Sequence, residues 1–363
     1  MESPHVVAVK TPARRIPGRA GRGYRVPGAA LPGLAVTLVV ASASTWLGGL
    51  VPTVGGPVFG IAAGAVIGPL LGRVLSPARA ARLRPGFAVA GRQVLQASIV
   101  VLGTGLSLRD VLRVGSDSLP VMLGTLAVAL SGAWLVGRLL RIHAETRLLI
   151  GVGTGICGAS AIAAVTAVIG AAEARVAYAL GTIFTFNIAA VLLYPLLGHW
   201  LGLSQQAFGL WSGTAINDTS SVVATAYGYG TAAGAYAVVV KLTRSLMIVP
   251  ICAVLQIRQS RRRRAGQVPG STGIPAWRAF PLFIVGFLAA SAVATLGGVP
   301  VSWHPALSAA GTFLITTSLS GIGLSLDWSL VRAAGLRPLL LGAILWIAVG
   351  ATGLALQLLT GRL

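Results

Sequence analysis

The feature that most constrains this chain of 363 residues is a series of apolar runs that recurs from one end to the other. Each run is about 20 residues long, which is the length of a helix that crosses the hydrocarbon core of a bilayer. The runs are too long and too uniform for the alternating strands of an outer-membrane barrel, and too many for a soluble domain with one anchor. The sequence therefore predicts an all-α polytopic membrane protein with about 10–11 transmembrane helices.

Eleven segments are predicted to span the membrane, starting with the N-terminus inside: 31–50, 56–75, 87–108, 119–140, 148–170, 176–197, 208–226, 232–255, 280–296, 306–326 and 339–359. The segment 208–226 differs from the others because it mixes Gly, Asn, Asp, Thr and Ser. It also fits a re-entrant hairpin, which enters and leaves on one side of the membrane. The choice between these two alternatives decides on which side the C-terminus lies.

Basic residues far outnumber acidic ones, with 28 Lys and Arg against 7 Asp and Glu and a net charge of +21. They cluster beside apolar runs, at 10–25, 73–84, 138–147 and 258–264. Positive charge beside a span stays in the cytoplasm, so these clusters predict cytoplasmic segments of a plasma-membrane protein. We expect a disordered basic cytoplasmic tail over 1–30, one transmembrane domain over 31–363 and a basic cytoplasmic loop over 258–278. No aromatic-studded basic module accompanies the charge, which argues against nucleic acid as a partner.

Two glycine-rich polar stretches interrupt the apolar pattern, GVGTGICGASAIAAVT at 151–166 and GTAINDTSSVVATA at 213–226. Each glycine of the first weakens a helix by roughly 0.5–1 kcal/mol relative to alanine, so we expect interrupted helices. Irregular backbone at membrane depth survives only within protein or around a wet cavity, which makes both breaks candidate ligand sites. A helix that restarts near Ser160 would direct its N-terminal N–H groups at an anion. Close packing of small residues between helices is the alternative.

The sequence also contains two internal similarities. A shift of 60 residues superposes the two breaks and places Thr154 on Thr214. A shift of 218 residues superposes GTGLSLRDVL on GIGLSLDWSL and relates 103–140 to 321–358. On the predicted topology these two copies run in opposite directions, which is the inverted-repeat plan of many alternating-access transporters. A recurrent Gly and Leu pattern of low complexity is the alternative.

Asp218, Lys241 and Arg244 are charged residues that lie inside the apolar runs and away from their ends. A carboxylate in the middle of a helix costs several kcal/mol against lipid, so Asp218 is expected to face a partner or a hydrated cavity and to carry a proton or a coupling cation. Lys241 and Arg244 are three residues apart on one helix face, and we expect them to bind an anion or to pair with Asp218. The structural alternatives are a locking ion pair for Asp218 and snorkelling to the membrane surface for the two cations.

The neutral candidates around the breaks can replace part of an ion's hydration shell: Thr154, Cys157, Ser160, Thr214, Asn217, Thr219 and Ser220. Cys157 is also small and apolar enough to be a spacer. The four histidines are scattered, so no metal site is predicted. No phosphate-binding loop is present, so ATP is not expected as the energy source, and no cofactor is expected beyond a coupling ion of H+ or Na+.

The motifs CGASAIAA at 157–164, GTAINDTS at 213–220 and VKLTR at 240–244 resemble those of the YeiH-like sulfate exporter family of bacterial inner-membrane proteins. The resemblance covers nearly the whole chain from residue 31 onward. It implies a cation/anion-antiporter and bile-acid-symporter-like plan, with inverted repeats and interrupted helices that meet near the membrane centre. One departure is Asn217, where relatives commonly have His, so a mechanism that moves a proton through that His does not carry over.

Together these features predict a secondary active transporter that moves a small anion, sulfate or a related oxyanion, across the plasma membrane by alternating access, coupled to H+ or Na+. An uncoupled channel or facilitator is the alternative. An enzyme is not expected, because no nucleophile–base or metal constellation is present. The expected partners are the lipid bilayer and the anion, and a homo-oligomer is compatible with the sequence. The substrate, the direction of transport and the coupling ion stay open.

Overall fold

The computed structural model describes residues 27–50, 55–264, 282–326 and 335–362, and in these ranges every regular element is helical. The α-helices are α1 (Pro27–Leu50), α2 (Gly55–Val74), α3 (Pro77–Val89), α4 (Leu95–Gly103), α5 (Leu108–Leu139), α6 (Ala144–Gly155), α7 (Ala159–Ile169), α8 (Glu173–Trp200), α9 (Gln205–Ala215), α10 (Thr219–Tyr229), α11 (Thr231–Ser245), α12 (Ile248–Arg264), α13 (Leu282–Thr295), α14 (His304–Leu324) and α15 (Leu336–Leu359). A π-helical segment, Ala90–Val94, joins α3 to α4. The predicted tail before residue 27 and the predicted loop after residue 264 lie outside the described residues.

The described part of the chain has eight helical segments that are long and apolar enough to cross a membrane. In two of these segments helices follow one another end to end, α3 with α4 and α11 with α12. Their outward faces are apolar, as lipid requires; on α8, for example, Leu192 and Leu196 are exposed. The prediction of an all-α polytopic membrane protein is confirmed.

The first glycine-rich stretch does not cross the membrane, contrary to the predicted span 148–170. If α6 and α7 formed one straight helix, their outer ends would be about 35 Å apart. Instead Glu145 Oε2, at the start of α6, lies 2.6 Å from Arg175 Nη1, just after α7. A Cβ built on Gly153 would lie 3.0 Å from Ile162 Cδ1, so α7 folds back along α6. We call this re-entrant pair of helices hairpin 1.

The second stretch is also re-entrant, which decides between the two alternatives for 208–226. The ring of Tyr229, at the end of α10, stacks on Phe208, near the start of α9, with 3.8 Å between ring centroids. The Tyr229 hydroxyl donates to the Leu203 carbonyl at 2.6 Å. Gln205 Oε1 accepts a hydrogen bond of 3.0 Å from the N–H of Ala233. Both ends of the pair α9 and α10 therefore lie together, and we call this pair hairpin 2.

The two hairpins enter from opposite sides. Helix α5 runs antiparallel to α6, because Cβ atoms built on Gly137 and Gly155 would meet Arg147 and Leu126. Hairpin 1 therefore enters from the side on which α5 ends, and α8 carries the chain across to the side from which hairpin 2 enters. Arg147 and Arg175 lie on the hairpin 1 side, which the positive-inside rule identifies as cytoplasmic.

The remaining helices follow from the same contacts. Ser291 Oγ donates to the Gly103 carbonyl at 2.9 Å and the Leu108 N–H donates to Thr295 Oγ1 at 2.7 Å, so α13 ends on the outer side with α4. Within the described residues the crossings are thus α1, α2, α3 with α4, α5, α8, α11 with α12, α13, α14 and α15. Because the two re-entrant segments do not cross the membrane, the number of crossings in this series is odd. With the N-terminus inside, α15 therefore ends on the outer side.

The helices form two groups. In the scaffold group, α14 packs against α1, α2, α3 and α4, and α13 packs against α4. In the hairpin group, α5, α8, α11 and α15 surround the two hairpins. Within this group α15 runs antiparallel to α5, so the related segments 103–140 and 321–358 have opposite directions where they are described, as an inverted repeat requires. That they arose as a repeat stays a prediction.

Candidate functional site

The tips of the two hairpins touch each other inside the protein. Gly158, at the tip of hairpin 1, has φ of 64° and ψ of −126°, a conformation that side chains rarely adopt. A Cβ built on it would lie 3.2 Å from Asp218 Cβ, at the tip of hairpin 2, and 3.4 Å from Ile183 Cγ2 of α8. Both the backbone conformation and the close approach therefore require glycine at this position.

Two buried cations of α11 hold the tips together. Lys241 and Arg244 have no solvent exposure. Lys241 Nζ donates to the carbonyls of Ile156 at 2.9 Å and Ile216 at 2.7 Å, which follow the last turns of α6 and α9. Helix C-termini have unpaired carbonyls and partial negative charge, so one ammonium group stabilises the inward ends of both hairpins.

Arg244 extends this clamp on hairpin 1. Its Nε donates to the Gly155 carbonyl and its Nη2 to the Thr154 carbonyl, both at 2.6 Å, and its Nη1 donates to the Ile216 carbonyl at 3.4 Å. Every nitrogen of the guanidinium group therefore binds a backbone carbonyl. In the described part of the chain neither cation forms an ion pair, so the predicted pairing of Lys241 and Arg244 with Asp218 is wrong. The spacing of three residues did predict that the two side chains share one face.

Asp218 is not in the middle of a helix, as its position in an apolar run predicted, but is the N-cap of α10. Its Oδ2 accepts hydrogen bonds from the N–H groups of Ser220 at 3.1 Å and Ser221 at 3.4 Å, and from the Ser220 hydroxyl. A capping carboxylate both pairs free N–H groups and complements the positive end of the helix. Among the described residues Oδ1 receives no hydrogen bond, and the residue is partly exposed.

The N-terminus of α7 has no such cap. Helix α7 begins at Ala159, one residue before the predicted restart, and its N-cap is Gly158, which has no side chain. The first bond of the helix runs from the Ile162 N–H to the Gly158 carbonyl at 3.1 Å. The N–H groups of Ala159, Ser160 and Ala161 therefore precede the helical bonding pattern and form the positive end of a helix dipole.

The structure divides the other predicted site residues by exposure. Thr154, Cys157, Thr214 and Asn217 are buried, whereas Ser160 is exposed and Thr219 is partly exposed. Thr214 is less available to a ligand than predicted, because its hydroxyl donates to the Leu210 carbonyl at 2.7 Å within α9. The accessible part of the site thus consists of Ser160 on hairpin 1 with Asp218 and Thr219 on hairpin 2.

Asn187 of α8 belongs to the site and was missed by the sequence analysis. It lies one turn after Ile183, which contacts hairpin 1 at Gly153 and Gly158, and Ala190 follows on the same face in a buried cluster with Ile216 of hairpin 2. Asn187 and Asn217 are both buried, and the Oδ1 of each lacks a hydrogen-bond partner. The signal was available in the composition, since these are the two asparagines of the whole chain and each lies in an apolar run.

The fold and the site define a class of protein: a multi-pass helical membrane protein in which two re-entrant hairpins enter from opposite sides and meet at a buried pair of cations. One hairpin tip offers an uncapped helix N-terminus and the other offers a carboxylate. The geometry therefore brings the positive end of a helix and a carboxylate together inside the span of the membrane.

Comparison with known proteins identifies the family. Residues 32–342 match the family model described as Conserved hypothetical protein 698. A UPF0324 membrane protein of Streptococcus pneumoniae is 40% identical over 337 residues, which are 91% of this chain and 97% of that protein. UPF0324 membrane proteins of Streptococcus pyogenes and Streptococcus agalactiae are 39% and 36% identical over 91% of this chain and 97% and 98% of their own lengths. The chain belongs to this YeiH-like family, as its motifs predicted, and is a multi-pass bacterial membrane protein.

Proposed function

We propose that this protein is a secondary active transporter that moves a small anion across the plasma membrane by alternating access. The observation that carries the proposal is the meeting of two opposed re-entrant hairpins at Lys241 and Arg244, inside the membrane. Broken helices that meet at mid-depth place unpaired backbone groups where a soluble ion can bind without contact with lipid. Lys241 and Arg244 keep the two tips aligned with each other while the site is exposed first to one side of the membrane and then to the other.

The anion binds at the uncapped N-terminus of α7. The N–H groups of Ala159 and Ser160 point toward the tip, and the Ser160 hydroxyl is exposed beside them. Oxyanions bind such helix ends through several N–H donors and the helix dipole. The family resemblance names sulfate or a related sulfur oxyanion, and we adopt this class as the substrate to test first.

The present conformation is open toward the cytoplasm. The side of α7 that carries Ser160, Ala163 and Ala167 is exposed, and α7 packs on α6, α8 and α12 of its own group. Helix α10 is buried along nearly its whole length and packs against α2 and α14 of the scaffold group. Alternating access then requires the hairpin group to move so that α10 becomes accessible and α7 becomes covered.

Asp218 binds the coupling ion. Its Oδ1 is free of hydrogen bonds within the described residues, the unpaired amide oxygen of Asn217 belongs to the residue before it, and that of Asn187 lies on the stretch of α8 between Ile183 and Ala190. Buried unpaired oxygens cost roughly 1–3 kcal/mol each, and a bound cation offsets this cost. Hard oxygen ligands with a single carboxylate suit Na+, whereas a proton needs only the carboxylate.

The test is uptake of radiolabelled sulfate into proteoliposomes, with imposed Na+ or proton gradients. We expect gradient-stimulated uptake in the native protein, and its loss in Asp218→Asn. Asp110→Asn, at the exposed start of α5, is the control that removes a carboxylate outside the site. Asn187→Leu should abolish the stimulation if Na+ is the coupling ion and leave it unchanged if a proton is, because only Na+ needs the amide oxygen as a ligand. Gln357→Leu, which removes another buried amide with unpaired atoms, should change neither.

Three outcomes would change the proposal. Stimulation that persists in Asp218→Asn would remove the coupling role of this residue. Rapid uptake that ignores every imposed gradient would identify a channel or facilitator. If no sulfate moves under any gradient, sulfonates, carboxylates and other small anions should be screened in the same vesicles, and failure of all of them would overturn the transporter proposal.

A further inference from the structure

Helices α5 and α6 leave a groove between them on the lipid-facing surface of the hairpin group. Its volume is about 180 Å³, and its walls include Leu130, Ala133 and Trp134 of α5 and Arg147, Leu148 and Gly151 of α6. Leu135 and Leu139, on the same stretch of α5, are exposed, which places this stretch against lipid. Sites for drug-sized ligands are larger, about 300–1,000 Å³. The groove therefore fits one chain of a longer molecule better than a whole small ligand.

The groove changes in polarity along its length. Farther from the cytoplasm the two helices touch closely, since a Cβ built on Gly151 would lie 2.7 Å from Ala133 Cβ. Closer to the cytoplasm the carbon stem of Arg147 packs on α5, where a Cβ built on Gly137 would lie 2.8 Å from Arg147 Cβ. Arg147 belongs to the first turn of α6 and so lies near the membrane surface. The groove is thus apolar inside and basic at its cytoplasmic mouth.

A second arginine lies at the same mouth. Arg138 is exposed, and its Cζ lies 6.0 Å from the centroid of the Trp134 ring, which forms one wall of the groove. Within the described residues the guanidinium groups of Arg138 and Arg147 make no hydrogen bond and no ion pair. The nearby carboxylate of Glu145 is already paired with Arg175 at 2.6 Å. The mouth therefore carries two positive charges whose donors are available to an anion.

An anionic phospholipid matches both parts of the groove. Its acyl chain is apolar, and its phosphate group accepts paired hydrogen bonds from arginine. Tryptophan side chains concentrate at the level of lipid headgroups, and basic pockets between helices on the cytoplasmic side bind such headgroups. A free phosphate or sulfate would leave the apolar part of the groove empty. A second copy of the chain, docked through the same surface, would bring the two pairs of arginines together, and like charges repel.

We propose that the groove between α5 and α6 binds one anionic phospholipid of the cytoplasmic leaflet, with an acyl chain in the apolar part and the phosphate at Arg138 and Arg147. The site is separate from the hairpin tips. A Cβ built on Gly153, two residues after Gly151, would lie 3.0 Å from Ile162 of α7, so the opposite face of α6 belongs to the interior of hairpin 1. The lipid contacts the helix through which hairpin 1 enters and stabilises its packing on α5, whether or not the protein transports an anion.

The first test measures lipid binding by native mass spectrometry of the purified protein in detergent. Phosphatidylglycerol should form a one-to-one complex and bind more tightly than phosphatidylcholine with the same acyl chains. Arg138→Gln combined with Arg147→Gln removes both charges but keeps the carbon stem that packs on Gly137. One arginine near the membrane surface contributes about fivefold in affinity for anionic lipid, so this double variant should bind phosphatidylglycerol about 25-fold more weakly. Its binding of phosphatidylcholine should not change.

The matched control removes two arginines from another cytoplasmic surface. Arg79→Gln combined with Arg82→Gln, on exposed positions near the cytoplasmic start of α3, should keep the native affinity for phosphatidylglycerol. An equal loss in this control, or equal binding of the two lipids by the native protein, would overturn the inference. A dimer without bound lipid that dissociates in the Arg138 and Arg147 double variant would also overturn it and assign the groove to a second copy of the chain.

The second test locates the acyl chain. Phosphatidylglycerol with a photoreactive diazirine in one acyl chain should label peptides within 130–151 preferentially, and soluble glycerol phosphate should not reduce this labelling. The exposed leucines of α8, Leu192 and Leu196, provide the comparison, because they face lipid outside the groove. Equal labelling of α8 would show that lipid covers the protein without a preferred site. Competition by glycerol phosphate would show that the mouth binds a free anion. Either result would overturn the inference and leave the proposed function standing.

Discussion

The two hairpins have the same plan and opposite surroundings. In each, a short helix enters the membrane, the chain turns, and a second short helix returns to the same side. Hairpin 2 is closed: α10 is buried between its own group and the scaffold, and its base is held by the stacked rings of Phe208 and Tyr229. Hairpin 1 is open: one face of α7 is exposed, and its base is held by the ion pair of Glu145 and Arg175.

The difference continues at the tips. The shift of 60 residues that superposes the two breaks places Gly158 on Asp218, so one position in each hairpin is the N-cap of the returning helix. With Asp218 the helix end is paired with a carboxylate, and with Gly158 it has no side-chain cap, which is the end where we propose that the anion binds. The two similar stretches thus differ in chemistry at one equivalent position.

The largest expected effect comes from the clamp, which holds hairpin 1 more firmly than hairpin 2. Arg244→Met removes two strong hydrogen bonds from α6 carbonyls and one weak one from Ile216, and we expect the free energy of unfolding to fall by about 3–5 kcal/mol. Thermal denaturation of the purified protein measures the loss. Hydrogen exchange should increase more at the end of α6 than at the end of α9.

Lys241→Met provides the comparison for Arg244→Met, because Lys241 donates to one carbonyl of each hairpin. We expect hydrogen exchange to increase at both tips in this variant. Equal increases at both tips in Arg244→Met would contradict the difference that we assign to the clamp.

The second prediction concerns the close approach of the tips. Gly158→Ala adds a Cβ at a positive φ and within 3.2 Å of Asp218 Cβ, and should destabilise the protein by about 2 kcal/mol. Gly170, at the end of α7, has φ of 68° but nothing within 4 Å of a built Cβ. Gly170→Ala should therefore cost about 1 kcal/mol, from strain alone. Equal losses of thermal stability would show that contact between the tips has no part in the effect.

The third prediction uses positions that the 60-residue shift relates. Ala163 of α7 is exposed and Val223 of α10 is fully buried. Labelling of Ala163→Cys by an impermeant maleimide from the cytoplasmic side should be at least about tenfold faster than labelling of Val223→Cys, a ratio equivalent to about 1.4 kcal/mol. Slow labelling of both variants would place the exposed face of α7 in lipid and argue against the cytoplasmic opening.

The sequence predicted the helical segments well and their directions poorly. The apolar runs located the crossings because lipid demands uniformly apolar segments. Glycines and polar residues located both breaks, at 151–166 and 213–226, because such residues weaken helices. Whether the chain continues or turns back after a break depends on contacts between residues far apart in sequence, such as that of Glu145 with Arg175. These contacts cannot be predicted from local composition.

The partners of the charged residues were equally hard to predict. The spacing of Lys241 and Arg244 places them on one helix face, but their acceptors are backbone carbonyls, which every residue has and no sequence pattern distinguishes. Asp218 lies in an apolar run because it caps α10, a helix that begins inside the membrane. This role becomes evident only once the turn between α9 and α10 is known. Asn187 is far from both breaks in sequence, and only the packing of α8 against the tips brings it to the site.

The smallest effects are expected at the bases of the hairpins. Tyr229→Phe removes hydrogen bonds to the carbonyls of Leu203 and Gly198, and should lower the free energy of unfolding by about 1 kcal/mol. Glu145→Gln breaks an ion pair whose side chains are about one-third exposed, and should cost less than about 0.5 kcal/mol, decreasing further in high salt. Thermal denaturation at low and high salt distinguishes the two. A larger loss in Glu145→Gln than in Tyr229→Phe would mean that hairpin 1 is anchored as firmly at its base as hairpin 2. The two hairpins would then differ only in the exposure of α7 and α10 and not in how their bases are held.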